Sequence, residues 1–230
     1  MSPRAILTDI EGTTTDIAFV HEVLFPYARE HLADFVHARA GQPAVAAALV
    51  EARAAMDAPA ADLPAVIGQL QAWLDEDRKI TPLKTLQGLL WQGGYERGEL
   101  RAHLYPDVAP ALRRWQAAGH TLAVYSSGSV AAQRLLFGHT EAGDLTGLFS
   151  AWFDTHIGGK REAASYRHIV AELALPAGAV LFLSDVAAEL DAAAAAGLAT
   201  CQLVRPGTVP AARHPHATDF DAVSRRWEIA

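Results

Sequence analysis

Cysteine is almost absent: Cys201 is the single one in 230 residues, so no disulfide can close within the chain. Such usage suits a reducing compartment, and a cytoplasmic location is the expectation. Long apolar runs are missing as well, none approaching the ~18 residues that a membrane-spanning helix needs. Asp9 and Glu11 break the N-terminal apolar stretch before a signal-peptide core could form. Basic charge is scarce, with 19 Lys and Arg against 26 Asp and Glu and a net charge of −7. Nucleic acids are bound through basic faces, so no nucleic-acid partner is expected. No Lys/Arg cluster follows an amphipathic stretch, which argues against binding to anionic lipid surfaces. Histidines such as His31, His37, His214 and His216 show no transition-metal spacing and suit surface or capping roles. There is no internal repeat and no heptad seam, and a monomer is expected. What remains is 51% apolar and 20% charged, the composition of an ordinary folded chain with a packed core.

Four short apolar runs, each ended by a polar residue, predict buried parallel strands: AILTDI (5–10), TLAVYSS (121–127), VLFLSD (180–185) and ATCQLV (199–204). Helical patterns separate the later ones, so a parallel sheet covered on both faces is expected. Residues 16–103 carry helix signals and no convincing strand. Pro26 suits the first turn of a helix running to Ala40, Thr81-Pro82 reads as a cap and first-turn proline, and Gly93-Gly94 as a stop. The predicted architecture is α/β, a Rossmann-like core of residues 1–15 and 104–230, with an all-helical insertion, 16–103. Trp73, Trp91 and Trp115 sit at helical spacing with leucines and are expected in cores, and Cys201 inside the last strand.

In open parallel sheets, ligands gather beyond the carboxyl ends of the strands. Asp9, Ser126 and Asp185 all stand at such ends. In DIEGTTT (9–15), strand alternation puts Asp9 and Glu11 on one side, where one carboxylate can act as nucleophile and the other as acid and base. Gly12 and the threonines allow a tight exit with N–H and hydroxyl donors for anionic oxygens; a solvated strand end is the plainer alternative. SSGS (126–129) offers the Ser126 hydroxyl and the N–H groups of Ser127 and Gly128 to a phosphate, or else a simple helix cap. Lys160, in GGKREAASY, can meet a phosphate and a carboxylate, though Arg161 stands beside it. Asp185, in SDVAAE, adds a hard oxygen ligand suited to Mg²⁺, and Glu189 one turn on could orient it or favour the helix dipole.

In their order and placement these residues resemble the haloacid-dehalogenase superfamily: Asp-x-Glu after the first strand, Ser after the second, then Lys, then Asp. The resemblance implies a Rossmann-like core, an aspartyl-phosphate intermediate on Asp9 and one Mg²⁺ per subunit, held by Asp9, the carbonyl of Glu11 and Asp185. Glu11 stands where most phosphatases of that superfamily carry Asp, and a carboxylic acid there argues against dehalogenase chemistry. DIEGTTT is similar to the enolase-phosphatase branch of methionine salvage. So are IAFVHEVLFPYARE (17–30), DRKITPLKTLQGLLWQGGY (77–95), LYPDV (104–108) and FDTHIGGKREAASY (153–166). That branch implies 2,3-diketo-5-methylthiopentyl 1-phosphate as the small-molecule substrate, enolised and then dephosphorylated. Glu11, Lys160, His21 and Glu22 all stand as candidates for the enolising base, with helix packing the plainer role for the last two. The alternatives are a phosphatase of the same fold for another small phosphate ester and a silent binding scaffold. VRPG (204–207) ends the last strand with no chemistry expected.

Overall fold

The computed structural model describes residues 2–229. Strand β1 (Ala5–Thr8) leads to α1 (Ile17–Phe19), a π-helical turn (Val20–Leu24), α2 (Phe25–Arg39), α3 (Pro43–Ala55), α4 (Leu63–Asp75) and α5 (Thr81–Glu96). From α6 (Val108–Ala117) strands and helices alternate: β2 (Thr121–Tyr125), α7 (Val130–Gly138), β3 (Ala151–Phe153), α8 (Ala163–Leu173), β4 (Val180–Ser184) and α9 (Ala187–Ala195). The chain closes with β5 (Ala199–Leu203), β6 (His216–Ala217) and α10 (Phe220–Trp227). Two compact units result, one holding the chain up to Ile17 and from Ala102 onward, the other Ala18–Arg101.

In the first unit the six strands lie parallel in the order β3-β2-β1-β4-β5-β6. The α/β architecture expected from the apolar runs is present, with helices on both faces. Ala5 and Leu7 of β1 pack with Ile169 of α8 and Leu190 of α9. Ile6, on the opposite face, is equally enclosed; α6 covers β2 on its own side and meets α10 through the stacked Trp115 and Phe220. A strand buried on both sides cannot alternate polar and apolar residues, which is why β1 and β4 read as continuous apolar runs. Strands β3 and β6 were missed by that signal. They are three and two residues long and lie at the two sheet edges, too short to carry a pattern.

The second unit is helical throughout. Leu32, Val45, Leu70, Trp73 and Leu86 meet in its core, each contributing about 1.5–3 kcal/mol on burial. Two boundaries differ from expectation. Ile80 is the N-cap of α5, which makes Thr81 its first residue, and α5 runs past Gly93-Gly94 to Glu96. Gly94 is there for close approach: a Cβ would meet the Tyr27 hydroxyl at 2.7 Å and Leu100 at 2.9 Å. Trp91, partly buried, packs on this core and donates to the Leu24 carbonyl at 3.0 Å. His21 and Glu22 are exposed on the π-helical turn, where the His21 ring meets that of Phe25 edge-on at 5.5 Å between centroids. Among the described residues no helix is long and apolar enough to cross a membrane.

Candidate active site

Strand register decides which residues can meet. Thr8, the last residue of β1, lies opposite Val124 of β2 and Leu183 of β4, so Asp9, Ser126 and Asp185 leave three neighbouring strand ends together. The chain then turns sharply. The N–H groups of Thr13, Thr14 and Thr15 all point back to the Ile10 carbonyl, and that of Gly12 to the Thr15 carbonyl. The threonine hydroxyls face inward too: Thr14 donates to the Ile10 carbonyl at 3.1 Å, Thr15 to the His103 carbonyl at 2.7 Å, and Thr13 Oγ1 accepts the Asp185 N–H at 3.1 Å. For the N–H groups of Gly12 to Thr15 and the hydroxyls of Thr14 and Thr15, the expectation of donors free for an anion is therefore corrected. They are engaged within the turn and on His103. Gly12 is obligatory in that turn, because φ is +71° and a Cβ would collide with the Asp185 carboxylate.

Asp9 is 2% exposed. Its Oδ1 accepts the Ile10 N–H at 2.7 Å and lies 2.6 Å from Lys160 Nζ, while Ser184 Oγ stands 3.3 Å from Oδ2. Lys160 reaches Asp9 from a loop before α8, where hydroxyls of Tyr125, Ser165 and Tyr166 donate to the carbonyls of Gly158, Gly159 and Lys160 at 2.9, 2.8 and 2.6 Å. Arg161 is exposed. The neighbouring basic residues thus have different surroundings, a distinction spacing could not make. Glu189 Oε2 lies 2.8 Å from Lys160 Nζ and 3.0 Å from Ser184 Oγ. Its contacts are with the lysine and the serine, and orientation of Asp185, one role considered for it, is not what they provide. Burial opposes the Lys160 charge, but Asp9 and Glu189 outweigh it and hold the ammonium above its ordinary range.

Ser126 donates to Glu11 Oε2 at 3.0 Å and accepts the Gly128 N–H at 3.1 Å. The cap of α7 is instead Ser129, whose hydroxyl accepts the Ala132 N–H. Ser126 is thus not the helix cap, and the Gly128 N–H, expected to face a ligand, is taken by Ser126; Ser127 is exposed. Burial, then the charge of Asp9, raises the Glu11 carboxyl above its ordinary value. The same two causes, in the same order, raise Asp185 to about 6 and Glu189 to about 7. Four carboxylates face one ammonium.

That imbalance bears on a cation. Asp185 Oδ1 is buried and has no hydrogen-bond partner, and the oxygens at hand are hard donors. Among the described residues no three Asp, Glu, His or Cys side chains stand close enough to hold a metal by themselves. A cation here would draw on two carboxylates, Asp9 and Asp185, with the Glu11 carbonyl and water. Mg²⁺ prefers such a set, so the residues fit it.

Sequence reasoning passed over three residues beside the site. Ser184 is buried between Asp9 and Glu189 and was visible only as the residue before Asp185. Gln202 and Arg205 lie inside and just after β5 and gave no signal. His214, expected at the surface or as a cap, is buried between Thr200 and Asp191.

Comparison with known proteins agrees with this geometry. The chain matches the family described as haloacid dehalogenase-like hydrolase over residues 3–197. An enolase-phosphatase E1 of Erwinia tasmaniensis is 57% identical over 96% of this chain and 97% of the relative. That of Gluconacetobacter diazotrophicus is 59% identical over 98% of this chain and 94% of the relative. Among solved structures, the UTR4 protein of Saccharomyces cerevisiae superposes with a TM-score of 0.81 at 33% identity, covering 95% of this chain and 99% of its own. The chain therefore belongs to the haloacid dehalogenase-like hydrolases and, within them, to the enolase-phosphatase E1 family.

Proposed function

We propose that this chain enolises 2,3-diketo-5-methylthiopentyl 1-phosphate and then removes its phosphate, acting as a monomer with one Mg²⁺. The carrying observation is the buried contact of Asp9 with Lys160, 2.6 Å apart, with the Glu11 carboxyl close by. Asp9 attacks phosphorus, forming an acyl phosphate as the P–O bond to the substrate breaks. The Glu11 carboxyl, raised by burial, carries the proton that the departing oxygen takes, and then accepts one from the water that hydrolyses the acyl phosphate. Lys160 and Ser126 neutralise charge on the transferring oxygens. Mg²⁺, held by Asp9, the Glu11 carbonyl and Asp185, supplies further charge neutralisation when bound. Lys160 is a poor candidate for the enolising base, because Asp9 and Glu189 keep it protonated. The helical unit is proposed as the cap that selects the substrate.

Glu11→Gln separates the two half-reactions. Phosphate release is expected to slow by about 10²–10⁴-fold, the usual worth of a positioned acid–base group, and enol formation much less. The phosphorylated enol should accumulate and be visible by ultraviolet absorbance before phosphate appears. Equal loss of both steps would make Glu11 the shared acid–base group, and normal phosphate release would remove it from the mechanism.

Metal binding should depend on pH in a defined sense. Folding raises the Asp185 carboxyl from 3.8 to about 6. Between those values the folded state binds more protons than the unfolded one, so without metal this group's contribution to stability falls as pH rises through the window. Mg²⁺ competes with that proton. Its stabilisation, measured as the rise in Tm at saturating Mg²⁺, should be large near pH ~7.5 and small near pH ~5. An equal rise at both would exclude Asp185 as a ligand.

A further inference from the structure

Arg205, the arginine of VRPG, is only 5% exposed. Its Nη1 and Nη2 donate to the two carboxylate oxygens of Asp107 at 2.9 and 2.8 Å, and Nη1 also reaches the Thr218 carbonyl at 3.3 Å. From its other edge Nε donates to the Thr13 carbonyl at 3.1 Å. The guanidinium lies over the Tyr105 ring, 4.2 Å from its centre. Asp107 is fixed in turn, since its Oδ2 accepts the Phe220 N–H at 2.8 Å. Buried ion pairs commonly stabilise a fold no better than apolar residues of similar volume, so stability alone is a weak reason for this one.

Direction is what the guanidinium fork adds. One edge is locked on Asp107, and the other holds a backbone carbonyl of the turn that follows Asp9. The hydroxyl of that same Thr13 accepts the Asp185 N–H. From the opposite side Gln202 Nε2 donates to the Asp185 carbonyl at 2.8 Å and to the Val209 carbonyl at 3.1 Å. Asp185 is therefore held at both its N–H and its C=O. Arg205, Gln202, Tyr105 and Asp185 border one cleft of ≈ 380 Å³.

We propose that Arg205, anchored on Asp107, is a positioning residue that fixes Thr13 and through it Asp185, setting the site's affinity for its divalent cation. The inference rests on the phosphoryl-transfer reading above. Arg205→Lys keeps the charge, but a single ammonium cannot span both Asp107 oxygens and the Thr13 carbonyl. Calorimetric titration of the metal-free protein with Mg²⁺ should show Kd raised about 10–100-fold, the usual cost of losing an outer partner of a metal ligand. At saturating Mg²⁺, kcat should fall while KM changes less than ~3-fold, the pattern of a lost transition-state interaction. Thr13→Val, which removes the acceptor for the Asp185 N–H, should raise the Mg²⁺ Kd likewise, and the double variant should be less impaired than the two effects added.

A lowered Tm with unchanged Mg²⁺ affinity in Arg205→Lys would overturn the proposal, leaving a residue that serves only the fold. If that variant does not fold, Thr13→Val decides, and an unchanged Mg²⁺ Kd there overturns it equally. A wild-type chain that binds no Mg²⁺ would instead bring down the phosphoryl-transfer reading, and this inference with it.

Discussion

Asp9→Asn is expected to reduce phosphate release by several powers of ten. The substitution keeps the shape, and its amide oxygen can still accept from the Ile10 N–H and from Lys160, which now hold Asp9 Oδ1. What disappears is the negative charge. A neutral amide does not attack phosphorus, and the acyl phosphate that divides the reaction into two easier steps cannot form. Lys160 keeps Glu189 as its charged partner, and one carboxylate fewer crowds Asp185 and Glu189, so the variant should melt close to the wild type, which separates lost chemistry from lost structure. Steady-state phosphate release measures the first and a thermal melt the second. Activity within tenfold of the wild type would remove Asp9 as nucleophile.

Lys160→Met should be nearly as severe, and it should affect stability as well. Lys160 is buried between Asp9 and Glu189, and removing one partner of a buried pair costs about 3–5 kcal/mol because the remaining charge is stranded. Glu189, already raised to about 7 by burial and Asp9, would take up a proton more readily still. Asp9 would lose the ion-pair partner that lies 2.6 Å from its Oδ1, and the transferring oxygens a neutralising charge worth about 10²–10³ in kcat. Adding Glu189→Gln should restore much of the Tm, since only one carboxylate then lacks its partner, but little of the activity. Recovery of both would mean that Lys160 serves structure alone.

The sheet was legible in the sequence wherever strands are buried on both faces, as in β1, β2, β4 and β5. Edges β3 and β6 were not, since two or three residues set no period. The meeting of residues at the candidate site was legible because they end strands: Asp9, Ser126 and Asp185 each break an apolar run. Lys160 lies in a loop whose carbonyls are held by Tyr125, Ser165 and Tyr166, and no periodicity encodes those contacts. Glu189 was visible as a first-turn acid, but its pairing with Lys160 depends on packing between α8 and α9. Arg205 was illegible for a plainer reason. An arginine after a strand usually faces water, and only the fold brings it to Asp107, 98 residues away.

The strand order also governs how the chain can be made. Strand β1 is synthesised first, yet its partners are β2 and β4, so its backbone N–H and C=O groups wait for partners until Thr121 and then Val180 have left the ribosome. The helical unit, Ala18–Arg101, is contiguous and can collapse on its own local contacts during that delay. Until β4 arrives, one edge of β1 stays open even after β2 has paired with the other, and an open edge invites pairing with other chains. Asp9 lies at its tip and acquires Asp185 as a neighbour only when β4 docks. A ribosome stalled before residue 180 would therefore carry all of the helical unit, a strand with one open edge and only half of the candidate site.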